Sequence, residues 1–119
     1  MNVVLYGGGA VGLGLTTFLL KSGVSVDIIA RNETVKALRQ KGLQRTGLFG
    51  DAEFSPQDFR AFSGLRELEK PFVYDYILVC TKLFDVDYAA DDIARHADKL
   101  GSKFKIIICQ NGWGSADRF

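Results

Sequence analysis

The stretch Val3-Val4-Leu5-Tyr6-Gly7-Gly8-Gly9-Ala10-Val11-Gly12 constrains this chain more than any other. Four apolar residues with strand propensity lead without a linker into glycines spaced Gly7-x-Gly9-x-x-Gly12, and residues 13–21 continue with helical periodicity. Strand, tight turn and helix in that order open a βαβ crossover, which requires a parallel sheet. Gly7 lets the backbone turn off the strand, Gly9 keeps a β-carbon away from a bound diphosphate, and Gly12 lets the helix lie close to the sheet. Gly8, Ala10 and Val11 complete the loop, whose N–H groups face the phosphates at the positive end of the helix dipole. A glycine-rich turn alone can serve chain geometry; its place between strand and helix is what gives it a binding role.

At 119 residues, 47% of them hydrophobic and 24% charged, the chain suits a single soluble domain, residues 1–119, with its own core. Six basic against two acidic side chains in residues 1–50, and nine against twelve in 51–119, give a mildly positive first half that favours an anionic ligand there. That is far from the basic stripe of a nucleic-acid binder, so no such partner is expected. No apolar run approaches the roughly 20 residues of a membrane span. Nor does the N-terminus read as a secretory signal. No membrane partner and a cytoplasmic location are therefore expected. Cys80 and Cys109 each close an apolar strand-like run, which predicts small buried thiols rather than a disulfide, and no metal site is assigned.

Along the chain, residues 10–21 predict a helix with Val11, Leu15, Phe18 and Leu19 on its buried stripe and Gly14 as a point of close packing. Residues 24–30 predict a second strand and 33–41 a short helix with Val35 and Leu38 inward, stopped by Gly42. From 43 to about 71 the pattern weakens. Residues 47–51 read as a turn between short strands at 43–46 and 59–62, Leu65 and Leu68 suit a short helix, and Ser55-Pro56-Gln57-Asp58 also suits a helix start. Residues 76–80 predict a buried parallel strand, 85–100 a helix, and 105–109 another buried strand. His96, the only histidine, falls among exposed helix positions and receives no catalytic role. The pattern is that of an α/β chain of Rossmann type, doubly wound, with helices on both faces of a mainly parallel sheet.

The end of the second strand selects between nicotinamide cofactors. An NAD site places an acid there, about 20 residues past the glycines, whereas an NADP site avoids the anion and supplies a cation. The residues here are Ala30, Arg31 and Asn32, and Asp27 stands about 10 Å back from the tip at roughly 3.3 Å per residue. Arg31 can grip a 2′-phosphate with its planar fork, and Asn32 can cap the next helix. This favours NADP(H). Loops at the carboxyl ends of strands line the ligand crevice, which places Lys82 and Asn111 beside it. Lys82 reads equally as a surface lysine, and Asn111-Gly112 as a turn.

With the glycine loop, Arg31, Leu78-Val79-Cys80-Thr81-Lys82 and Ile108-Cys109-Gln110-Asn111-Gly112 placed, the sequence resembles the N-terminal NADP-binding domain of the ketopantoate reductase (2-dehydropantoate 2-reductase) family over essentially its whole length. The resemblance implies an NADPH-dependent oxidoreductase that turns a 2-oxo acid, ketopantoate, into pantoate for pantothenate and coenzyme A synthesis. It implies that residues 7–12 bind the diphosphate, that Arg31 and Lys82 hold the adenosine ribose and its 2′-phosphate, and that Asn111 sits by nicotinamide and substrate. In that family a second, helical domain carries the general-acid lysine, and it is absent from these residues. No catalytic residue is therefore assigned here, the chain is expected to be part of a reductase of about 300 residues, and alone it should bind NADPH weakly without turnover. Self-association through the uncovered interdomain face, Trp113 included, is a further expectation. A stand-alone dinucleotide-binding module, or a related reductase for another oxo acid, are the alternatives.

Overall fold

The computed structural model describes residues 1–45, 51–68, 73–80, 86–101 and 103–109. Its main sheet has the strand order β5 (Arg60–Phe62), β2 (Ser25–Ile29), β1 (Asn2–Tyr6), β6 (Tyr76–Val79) and β7 (Lys105–Ile108). All four pairings are parallel, as the glycine-bearing crossover requires. The chain leaves β1 through α1 (Ala10–Lys21) to β2 on one side, and later returns to β6 on the other. The order therefore reverses between β1 and β6, the place where α/β sheets open a ligand crevice at the strands' carboxyl ends. This is a Rossmann-type sheet.

Alternation along each strand divides the core in two. Val3, Leu5, Val26, Ile28 and Leu78 pack beneath the side chains of α1 and of α2 (Asn32–Lys41). Val4, Tyr6, Ile29, Ile77 and Val79 face Ala89 and Ile93 of α3 (Val86–Arg95) and Leu65 of a single 3-10 turn (Leu65–Glu67). Helices thus cover both faces. Asp27 is buried at 6% exposure on this second face, where Arg60 grips it with Nε–Oδ1 at 2.8 Å and NH2–Oδ2 at 2.6 Å and the Tyr74 hydroxyl donates to Oδ2. Burial, then this acceptor, pushes the Tyr74 phenol above its ordinary range.

Several local expectations change. Among the residues of α1 whose burial is described, the buried ones are Gly12, Thr16 and Thr17, with the Thr16 hydroxyl donating to the Gly12 carbonyl at 2.9 Å. Phe18 is 44% exposed and lies under the Arg45 guanidinium, 3.9 Å from the ring centroid. A helix this close to a sheet needs small residues on its inner face, so its large side chains lie to the sides. Gly14 has no neighbour within 4 Å of where a β-carbon would stand, so it is not the expected packing point. Asn32 is the first residue of α2 and Arg31 holds the cap position without a side-chain cap.

Residues 43–45 (β3) pair antiparallel with β4 (Ala52–Phe54), not with residues 59–62, which join the main sheet as β5 instead. Ser55 to Asp58 form a turn closed by Ser55 N–H donating to Asp58 Oδ2 at 2.8 Å, and no helix starts there. The long helix expected over 85–100 breaks at His96 into α3 and α4 (Ala97–Leu100). β7 alternates between exposed and half-buried residues, with Ile107 44% exposed, rather than being buried on both faces. It is the last strand of the sheet among the described residues.

Candidate functional site

At the end of β1 the backbone turns at Gly7, whose φ of 114° lies in the region that favours glycine. Its N–H donates to the Ile29 carbonyl at 2.8 Å, tying the turn to the tip of β2. Gly9 is the N-cap of α1, and its carbonyl accepts the first helical bond, from Leu13 N–H at 2.9 Å. No side chain caps this end. The N–H groups of the first turn, Ala10, Val11 and Gly12, therefore lack a partner within the helix. The glycines divide their work by space. A β-carbon on Gly12 would fall against the Gly7 carbonyl oxygen, well inside van der Waals contact, and within 3.2 Å of Cys80 Cβ and Leu5 Cδ2. One on Gly8 would stand 2.6 Å from Ala30 Cβ. Gly9 has nothing within 4 Å and opens outward.

The loop forms one side of a cavity of about 540 Å³. Arg31 and Thr34, after β2, and Ser63, Gly64 and Arg66, after β5, form the next wall. Tyr88, Asp92 and His96 close it from α3 and the break that follows. His96 is thus a wall residue with a quarter of its side chain exposed, not the remote surface group expected. It follows Asp92 by one helical turn and so shares the face that meets Tyr6.

Behind that wall lies a three-residue network. Tyr6 hydroxyl donates to Asp92 Oδ2 at 2.6 Å, and His96 Nδ1 lies 3.1 Å from Asp92 Oδ1. Burial, and then this acceptor, hold the Tyr6 phenol above its usual range. Both oxygens of the cavity's one described carboxylate are thereby engaged. The arginines divide as clearly. Arg39 donates twice to the Ala61 carbonyl, Arg45 to Thr17 Oγ1 at 3.1 Å and Arg60 to Asp27. Arg31 and Arg66, both on the cavity wall, form no salt bridge among the described residues.

Cys80 lines the cavity where β6 ends, and Cys109 follows the neighbouring β7; both are free, half-buried thiols. Burial, with Cys109 adding to it, pushes the Cys80 thiol up to about 12, which leaves it a poor nucleophile. Among the described residues no three His, Cys, Asp or Glu side chains gather as a metal site, and no helix is long and apolar enough to cross a membrane.

Of the residues singled out from sequence, Gly7, Gly8, Gly9 and Arg31 meet at the cavity, and Gly12 seats the helix that forms its edge. Lys82 and Asn111 lie outside the described residues, as do Thr81 and residues 110–119. Thr34, Ser63, Arg66, Asp92 and His96 were not anticipated. The signal for Ser63 and Arg66 was available: reading residues 59–62 as a third parallel strand puts its following loop at the crevice by the rule that pointed to Lys82.

Residues 3–119 match the Ketopantoate reductase PanE/ApbA family. The 2-dehydropantoate 2-reductase of Aquifex aeolicus (strain VF5) is 24% identical over 118 residues, covering 99% of this chain and 34% of that protein. The chain thus spans about a third of the length of the curated relative it matches. Among solved structures, the PanE/ApbA family ketopantoate reductase from Ralstonia eutropha JMP134 is 28% identical with a TM-score of 0.81, over 99% of this chain and 37% of that one. The 2-dehydropantoate 2-reductase from Methylococcus capsulatus is 26% identical with a TM-score of 0.71, over 94% and 34%. D-mandelate dehydrogenase, solved with NADH and anilino(oxo)acetate, shares the fold at 24% identity and a TM-score of 0.78, over 99% and 36%. A parallel sheet that opens at its crossover on a glycine loop, matched over residues 3–119, places this chain in the ketopantoate reductase PanE/ApbA family.

Proposed function

We propose that these residues are the NADP(H)-binding part of an NADPH-dependent 2-oxo acid reductase, with ketopantoate as substrate and pantoate as product. The observation that carries the cofactor is the pairing of an open Gly9 and an uncapped helix end with a β2 tip that offers Arg31 and no free acid. Asp27, the only carboxylate on β2, is held by Arg60 and Tyr74 and cannot serve a ribose hydroxyl. In this reading the loop of residues 7–12 holds the diphosphate through backbone N–H groups from Gly8 onward, Gly7 N–H being spent on the Ile29 carbonyl. Arg31 and Lys82 hold the adenosine ribose with its 2′-phosphate, and Asn111 orients nicotinamide and substrate carbonyl. When bound, the cofactor supplies a hydride. The proton for the product hydroxyl comes from a lysine in the family's second domain, so the 119 residues alone bind cofactor and turn over nothing.

Calorimetric titration with NADPH and NADH tests the reading. NADPH should bind more tightly, and Arg31→Ala should narrow the gap by about 1.5–3 kcal/mol, the worth of charge-assisted hydrogen bonds. Equal affinity for the two cofactors in the unaltered chain would overturn the choice of NADP(H).

A further inference from the structure

The proposed site uses one cation at the tip of β2, yet the cavity wall holds a second. Ile29 is paired with Phe62, and Ala30 N–H donates to the Phe62 carbonyl at 3.0 Å. The segments that follow β2 and β5 therefore leave the sheet side by side, Arg31 from one and Ser63 to Arg66 from the other. Across the sheet edge the sequence of groups is glycine loop, Arg31, then Arg66. Among the described residues, a dinucleotide whose diphosphate lies on the glycine loop and whose ribose reaches Arg31 meets this segment next on that side.

Arg66 is also held ready. Its carbonyl accepts from Lys99 Nζ, which fixes the backbone of the 3-10 turn to α4 and leaves the side chain out of that contact. Its guanidinium folds over Gly64, 3.6 Å from where a β-carbon of that residue would stand, so the missing side chain keeps its path open. Glu67, its neighbour in sequence, is engaged by the N–H and hydroxyl of Ser63. The cavity carboxylate, Asp92, is taken by Tyr6 and His96.

Resting on the NADP(H) reading, we propose that Arg66 is the second jaw of a two-arginine clamp, closing with Arg31 on the phosphate attached to the adenosine ribose and setting the preference for phosphorylated cofactor. A phosphate monoester carries close to two negative charges at neutral pH and has three acceptor oxygens, which leaves acceptor positions beyond the planar fork of Arg31 and the single ammonium of Lys82.

The probes are adenosine 2′,5′-bisphosphate and adenosine 5′-monophosphate, which differ by the 2′-phosphate alone and need neither nicotinamide nor a second domain. In calorimetric titrations of the purified chain, Arg66→Gln should weaken the bisphosphate about tenfold or more and leave the monophosphate within twofold, as charge-assisted hydrogen bonds are lost. Arg66→Lys, keeping charge but not the fork, should fall between. Because the tie to Lys99 uses the backbone, the thermal midpoint of Arg66→Gln should match that of the unaltered chain. Unchanged bisphosphate affinity in Arg66→Gln, or an equal loss for both probes, overturns the clamp while leaving the cofactor reading intact. An unaltered chain that binds the two probes equally overturns both.

Discussion

Replacing Gly12 and Gly14 by alanine, one at a time, separates a glycine needed for space from one that is not. At Gly12 the new methyl group meets the Gly7 carbonyl oxygen and approaches Cys80 Cβ and Leu5 Cδ2 to 3.2 Å. The carbonyl cannot swing aside freely, because it belongs to the turn whose φ of 114° leads the chain off β1. Overpacking of this kind costs about 1–3 kcal/mol. Because the clashing atom is backbone, the cost lies at the upper end, about 2–3 kcal/mol; alanine's better helix propensity returns about 1 kcal/mol, so Gly12→Ala should lose about 1–2 kcal/mol. At Gly14 nothing lies within 4 Å, and only the propensity term operates. Gly14→Ala should therefore gain about 0.5–1 kcal/mol. With a urea dependence of about 2 kcal/mol per molar, the unfolding midpoint by circular dichroism should drop by about 0.5–1 M in the first variant and rise by a few tenths in the second. Equal stability of Gly12→Ala and the unaltered chain, or shifts of the same sign in both variants, would refute the seating of α1 described above.

Arg60→Ala strips one partner from the buried Asp27 carboxylate; with the Arg60 side chain 40% exposed, the loss should be about 2 kcal/mol by urea unfolding, below that of a fully buried pair. NADPH affinity should not change in that variant, since Asp27 is assigned no part in cofactor choice, and a large loss of affinity would contradict that. Folding raises the Cys80 thiol from 9.0 to about 12, so the native state holds this proton more tightly than the unfolded chain. The associated stability is complete below pH 9 and disappears as pH rises toward 12, and the raised Tyr6 and Tyr74 phenols act with the same sign. Midpoints measured from pH 8 to 11 should fall, and less steeply in Cys80→Ala; parallel curves for the two proteins would contradict the burial of that thiol.

The elements set by local signals were legible. Residues 3–12 announce strand, turn and helix through contacts within a dozen positions, and α1, α2, β6 and Arg31 lie where the pattern puts them. What escaped depends on pairing at a distance. β5 is a three-residue strand that becomes part of the sheet only by lying against β2, where Arg60 meets Asp27. Without that pairing the loop carrying Ser63 and Arg66 has no reason to reach the crevice. His96 stands one helical turn after Asp92, so the helix itself stacks the two, and what hydropathy does not show is that this face also meets Tyr6 from β1. Thr16 and Thr17 were overlooked in favour of Phe18, because hydropathy ranks side chains by apolarity whereas a crowded helix contact selects them by size.

The central claim is that the loop of residues 7–12 cradles the cofactor's diphosphate through its main-chain amides from Gly8 onward. Amide proton and nitrogen shifts, followed residue by residue during NADPH addition, test it most directly, since each of the six positions from 7 to 12 carries a backbone N–H. The account predicts the largest displacements at Gly8, Gly9 and the first turn of α1, with the Arg31 side chain moving in step. Displacements that spare Gly9 while other regions respond, or none at saturating NADPH, would contradict it.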